Sequence, residues 1–228
     1  MGKPYYELHG DLEPFASSHS DAKLIDIEHF FGLLASGAKE RDCQKFIEEH
    51  PALIAAYGRS GHGEWVIPQK RLGSEFIPDF VHGHAHSGGY QWALWELECP
   101  SDVPFNRDGT FSRSLREAID QIERWRGWLE SNLDYARRPR SQNGLALFDI
   151  SPRASAIIVI GRRTQFPPHY NRLREQLRFD KHIEVMSYDR FIEAPKHQAE
   201  FWDRDGGLKV VPLDGSGRVS FDPADENL

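Results

Sequence analysis

Apolar positions recur along the chain at two spacings, and the change from one to the other outlines the fold. Leu24, Ile27, Phe30, Phe31 and Leu34 fall three and four residues apart. This predicts a helix over Leu24–Ala38, with Asp21 as N-cap and Gly37 as stop. A second helical stretch follows near Asp42–His50, and Pro51 opens a turn carrying Leu53, Ile54 and Tyr57. The period then shortens. Trp65–Ile67, Glu75–Val81 and Tyr90–Glu98 read as strands, with His82 to Gly89 as the hairpin connection between the last two. The strongest helical pattern spans Ser112–Ala136, where Leu115, Ala118, Ile119, Ile122, Trp125, Leu129 and Leu133 share one face. Ser114 and Glu117 have capping-box spacing and predict a start at Ser114. Ser155–Gly161 is a continuous apolar run, the signature of a strand covered on both faces. A short Arg-rich helix over residues 168–178, a strand over His182–Ser187 and a helical turn over Tyr188–Ile192 complete the order. The polar first twenty residues predict an irregular arm. The tail from Gly206 holds one short apolar run, Leu208–Leu213. The order predicts an α/β fold around one mixed sheet.

Composition narrows the class. The chain has 228 residues, 39% hydrophobic and 12% aromatic, enough for a large core and against global disorder. Two cysteines, Cys43 and Cys99, exclude a disulfide-rich scaffold and a four-cysteine zinc site. Neither a signal-like N-terminus nor an apolar run of membrane-spanning length is present, so the expected compartment is the cytoplasm. A net charge of −7 disfavours indiscriminate coating of nucleic acid, but the charge is uneven. Residues 106–181 carry fifteen basic and nine acidic side chains, and fourteen of the bases are Arg. Arg137, Arg138, Arg140, Arg162, Arg163, Arg172 and Arg174 either track phosphates or form ordinary ion pairs.

The chemistry sits on two predicted strands. Glu96 and Glu98, two residues apart, point to one face of their strand, and Asp79 on the adjoining strand would converge with them. Like charges placed this closely raise at least one proton affinity unless a cation compensates. Clustered hard oxygens suit Mg2+ or Mn2+, which can activate water against a phosphodiester. A carboxylate pair acting on a glycosidic bond is a further possibility from spacing, which the Pro-Asp and Arg-rich context disfavours. His82, His84 and His86 are spaced for zinc, but Gly83, Gly88 and Gly89 point to an exposed hairpin tip of surface histidines. Glu64 and Glu75 are possible extra carboxylates, and Cys99 reads as a buried thiol.

Six motifs in order carry a family resemblance over about residues 43–192. They are Phe46…His50-Pro51-Ala52-Leu53-Ile54, Asp79-Phe80-Val81, Trp95-Glu96-Leu97-Glu98-Cys99-Pro100, Ala118…Gln121-Ile122, Ile158-Val159-Ile160-Gly161-Arg162 and Tyr188-Asp189. The chain thereby resembles the PD-(D/E)XK nuclease superfamily, and within it the Shedu-type nucleases of bacterial antiphage defence. The resemblance implies a restriction-endonuclease-like αβββαβ core, with a nuclease-like domain over residues 42–195 between an N-terminal arm and helix (1–41) and a C-terminal extension (196–228). It implies a metal-dependent DNA endonuclease using Mg2+ or Mn2+, and self-association. Asp79 and Glu96 would be metal ligands, with Gln121 beside the site. Glu98 stands where the family usually has lysine, as an extra ligand or water-positioning base. Arg137, Arg138, Arg140, Arg162 and Arg163 would meet DNA. Lys70 is a candidate source of the missing positive charge. The alternative is a catalytically silent nuclease-like module that binds DNA or assembles with partners.

Overall fold

The structure is a computed structural model that describes residues 9–58 and 62–205. Five strands form one mixed sheet in the order of the chain. They are β1 (Glu64–Pro68), β2 (Phe80–His86), β3 (Gly89–Leu97), β4 (Ser155–Val159) and β5 (Ile183–Met186). The first three pair antiparallel, and β3, β4 and β5 run parallel. The helices are α1 (Leu24–Ala35), α2 (Glu40–Glu49), α3 (Ala52–Ala55), α4 (Arg113–Ser131), α5 (Leu133–Arg137), α6 (Asn171–Lys181), α7 (Tyr188–Phe191) and α8 (Glu193–Asp205).

Strand alternation separates two cores. On one face, Trp65, Val81, Leu94 and Ile158 meet the apolar stripe of α4, including fully buried Ile122 and Trp125. On the other, Val66, Phe80, Trp95, Leu97 and Val159 meet Phe30 of α1, Ile47 of α2, Ile54 of α3 and Phe191 of α7. β4 contributes to both faces, as its unbroken apolar run requires. Arg126 fastens α4 to the far end of the sheet. Its guanidinium donates to the carbonyls of Lys181 (2.6 Å), Ala154 (2.9 Å) and His182 (3.2 Å), just ahead of β5 and β4.

Several sequence expectations shift. The second strand does not span Glu75–Val81; β2 starts at Phe80 and runs through His86, leaving only Ser87 and Gly88 in the hairpin turn. Gly83 therefore serves packing rather than turning. A Cβ there would lie 2.5 Å from the ring of Trp92 on β3. The long helix is capped by Ser112, whose Oγ accepts from the Leu115 N–H, and not by Ser114. It breaks at Asn132 rather than running to Ala136. The first helix ends at Ala35, before Gly37 turns at φ 83°, and its N-cap is Lys23 rather than Asp21. The arm is not free over its described part. Leu12 is fully buried, and Ala16 bridges to Trp65, covering the outer edge of β1. After Tyr188–Phe191 the chain continues into α8, which periodicity did not reveal. The Leu208–Leu213 run lies outside the described residues. No helix among the described residues is long and apolar enough to cross a membrane.

Candidate active site

The candidate site forms where β3 ends and β2 begins. The antiparallel register sets Phe80 opposite Trp95, which brings Asp79 beside Glu96 and Leu97. Asp79 Oδ2 accepts from the Leu97 N–H at 2.7 Å. Parallel pairing sets Glu96 opposite Ile158, and the Glu98 N–H donates to the Val159 carbonyl at 2.8 Å. The carboxylates thus lie at the carboxyl ends of the parallel strands, where α/β sheets commonly hold ligands.

Gln121 projects from α4 onto this point, and its Nε2 donates to Glu96 Oε1 at 2.6 Å. Glu96 is 7% exposed, and its second oxygen, Oε2, is buried without a partner. Below, the hydroxyl of fully buried Tyr188 donates to the Glu98 carbonyl at 2.8 Å and so anchors that backbone.

Electrostatics follow from this crowding. Burial raises the proton affinity of Asp79, opposed by the Leu97 N–H and reinforced by Glu40 and Glu48. Glu96 is raised by burial, then by Asp79, Glu98 and Glu40, with Gln121 opposing. Burial pushes Glu98 up to about 8, with Glu40, Asp102 and Asp79 adding to it. The charges that move these groups are all other carboxylates. Among the described residues, no three His, Cys, Asp or Glu side chains stand close enough to enclose a metal ion.

Glu40 and Asp102 are among the contributors that escaped the sequence reading. Glu40 lies in the first turn of α2, and Asp102 lies in the loop after β3, its Oδ2 accepting from Ser114 Oγ at 2.6 Å. Neither belongs to a spacing pattern with Asp79 or Glu96, so only the fold could place them there.

Other candidates lie elsewhere. Lys70 donates to the Leu145 carbonyl at 2.8 Å, and burial with Arg140 nearby lowers it to about 8. It does not join the carboxylates. Glu64 accepts from the backbone N–H of His19 and also meets its ring, and Glu75 is exposed. Burial pushes the Cys43 thiol up to about 12, which leaves it unreactive. Cys99 is only half-buried, 3.2 Å from Ser101 Oγ.

The arginines divide between the two ends of the sheet. Arg162 and Arg163 follow β4 at the carboxylate end. Arg162 makes a two-pronged pair with Asp189 (3.0 and 2.8 Å), and Arg163 pairs with Glu193. Arg137, Arg138 and Arg140 lie toward the opposite end. Arg137 donates to the Ile150 carbonyl and Arg138 pairs with Asp134, while Arg140 covers the Phe15 ring.

A mixed α/β sheet flanked by helices, with a carboxylate cluster around buried Glu96 at the ends of its parallel strands, defines the class of domain. A family model described as the C-terminal part of Shedu protein SduA matches residues 37–192, and the chain belongs to that family. Membership points to a role in defence. No curated protein matches the chain.

Proposed function

We propose that the chain is a metal-dependent DNA endonuclease of antiphage defence, hydrolysing phosphodiester bonds at Asp79, Glu96 and Glu98 with Mg2+ or Mn2+. One observation carries this reading: three crowded carboxylates hold raised proton affinities, and Glu96 Oε2 is buried without a partner. An unpartnered buried carboxylate oxygen is costly, and a cation relieves it together with the mutual repulsion. The donor set fits a hydrated Mg2+ or Mn2+, which takes one or two carboxylates plus substrate phosphate, rather than an ion enclosed by protein. Asp79 and Glu96 would hold it, and when bound it supplies activated water and a charge for the leaving oxygen. The Leu97 N–H orients Asp79, Gln121 orients Glu96, and Tyr188 holds the backbone that carries Glu98. Glu98 then positions or deprotonates water. Arg162 and Arg163 would meet DNA beside this site, exchanging their pairs with Asp189 and Glu193 for phosphate. Arg137, Arg138 and Arg140 would extend the contact toward the other end of the sheet.

The test is plasmid nicking and cleavage with Mg2+, Mn2+ or EDTA. Metal-dependent cleavage lost in both Asp79→Ala and Glu96→Ala is expected. Cleavage that persists in both variants refutes the site.

A second reading rests on Glu98 standing where a positive charge is usual and on Lys70 being tied to Leu145. It is a silent nuclease-like module that binds DNA or assembles with partners. It predicts salt-sensitive DNA binding without cleavage under either metal, and a gain of cleavage in Glu98→Lys.

A further inference from the structure

At the opposite end of the sheet the β2–β3 hairpin projects beyond β4, because β4 pairing starts only at Ala93 with Ser155. Between this overhang and the segment over residues 149–155 lies a cleft of about 530 Å³. That volume falls within the range of small-ligand sites, about 300–1,000 Å³. Gln91 and Glu96 are five residues apart on β3, about 17 Å at about 3.3 Å per residue, and alternation puts them on opposite faces of the sheet. The site is separate from the one already described.

The wall chemistry is mostly neutral and directional. His82 is 3% exposed, lines the cleft, and has a buried Nε2 with no partner. Its ring lies 6.0 Å from that of His84 and 6.5 Å from that of Trp95. Burial, with His84 adding to it, holds the imidazole neutral down to about pH 3, so it offers a hydrogen bond without charge. Gln91 is exposed and pairs across the hairpin with His84. Its side chain hydrogen-bonds the His84 imidazole, and the amide N–H2 with the remaining oxygen lone pair keeps a donor and an acceptor side by side, the pattern that reads the edge of a nucleobase. Among the described residues Arg153 is the one cation lining the cleft, set against the carboxylates Asp149 and Glu184. Arg153 offers one charge-assisted contact to a phosphate, while Asp149 and Glu184 oppose every further negative charge, so a polyphosphate is disfavoured. Carboxylates at such a mouth are suited to accept ribose hydroxyls.

We propose that this cleft binds a nucleobase carrying at most one phosphate, with Gln91 and His82 reading the base and Arg153 meeting the phosphate. The base belongs either to a free nucleoside monophosphate or to a single strand, and the two sources are separable by experiment.

The full chain is titrated calorimetrically with the four ribonucleoside monophosphates, adenosine, guanosine, ATP, ribose 5-phosphate and single-stranded tetradeoxynucleotides. The variants are Gln91→Ala and Arg153→Ala, at two exposed positions where folding is expected to survive, with Glu98→Gln as the control at the other site. Saturable binding of at least one monophosphate is expected. Gln91→Ala should weaken it at least tenfold, and Glu98→Gln should leave it unchanged. Arg153→Ala should weaken the monophosphate but not the nucleoside, and ATP should bind less tightly than AMP. Binding by a tetranucleotide alone, lost in Gln91→Ala, supports the base pocket and assigns its source to a strand. Failure of every nucleobase ligand to bind at millimolar concentration overturns the proposal. Equal binding of ribose 5-phosphate, or binding unchanged in Gln91→Ala, overturns it as well.

Discussion

Glu96→Gln separates the electrostatic cost of the carboxylate cluster from its shape. The amide keeps the side-chain volume and leaves an oxygen to accept from Gln121, but removes the proton that the fold must hold on Glu96 beside Asp79 and Glu98. The folded chain holds the Glu96 proton well above the ordinary value of 4.5, because of burial first and the neighbouring acids second. A folded-state affinity raised above the unfolded one gives stability that is complete below about pH 4.5 and is lost as pH rises. Each pH unit of that loss is worth about 1.4 kcal/mol. Between pH 4.5 and pH 8 it reaches about 4–5 kcal/mol if the folded chain keeps the proton throughout. The new amide N–H pair enters a site that leaves Oε2 unpartnered, which returns about 1–3 kcal/mol. The variant should therefore be about 2 kcal/mol more stable than wild type at pH 8 in EDTA, and no more stable than wild type near pH 4.5. Urea unfolding at the two pH values measures this. Added Mn2+ should stabilise the wild type and not the variant, since a ligand that binds only the folded state adds RT ln(1 + [L]/Kd). Equal stability of the two proteins at pH 8, or equal stabilisation by Mn2+, would refute the account of the cluster.

Other perturbations test the frame that positions both sites. Arg126→Met leaves three carbonyls near the starts of β4 and β5 without their donor, and should cost about 2–4 kcal/mol in chemical denaturation. Gly83→Ala drives a methyl into the Trp92 ring, which cannot retreat because its Nε1 donates to the Phe148 carbonyl at 2.6 Å. A loss of about 1–3 kcal/mol is expected, read as a lower melting temperature. His82, lowered from 6.5 to about 3 by burial, acts with the opposite sign to Glu96. Its stability is complete above pH 6.5 and is lost toward pH 3 as the unfolded chain takes the proton, by up to about 1.4 kcal/mol per unit. In His82→Phe the fall of stability between pH 6.5 and 4 should be correspondingly shallower. An unchanged pH dependence would contradict the buried neutral imidazole.

Local pattern alone was enough for most elements. The three-and-four spacing from Leu115 to Leu129 marked α4 and its buried face, because a helix can hide such a stripe only on one side. The unbroken run at Ser155–Gly161 marked a strand covered on both faces. Glu96 and Glu98 were legible as acids on one side of a strand, with Asp79 nearby in the chain. Strand ends were harder to read. Gly83 reads as a turn residue in sequence, yet in the fold the Trp92 ring packs where its side chain would be. Only the tertiary structure decided which groups surround the acids. Glu40 comes from the start of α2, Asp102 from the loop after β3 and Tyr188 from α7, and the packing of helices and loop against the strand ends brings them to Glu96. A hydrogen bond between remote loops ties Lys70 to Leu145, and the direction of β4 sets Arg162 and Arg163 at the carboxylate end of the sheet, away from Arg137. Secondary structure follows periods of two and 3.6 residues that neighbouring positions already display. The proton affinities of buried acids depend on desolvation and on charges brought close from remote segments, so they exist only once the chain has folded.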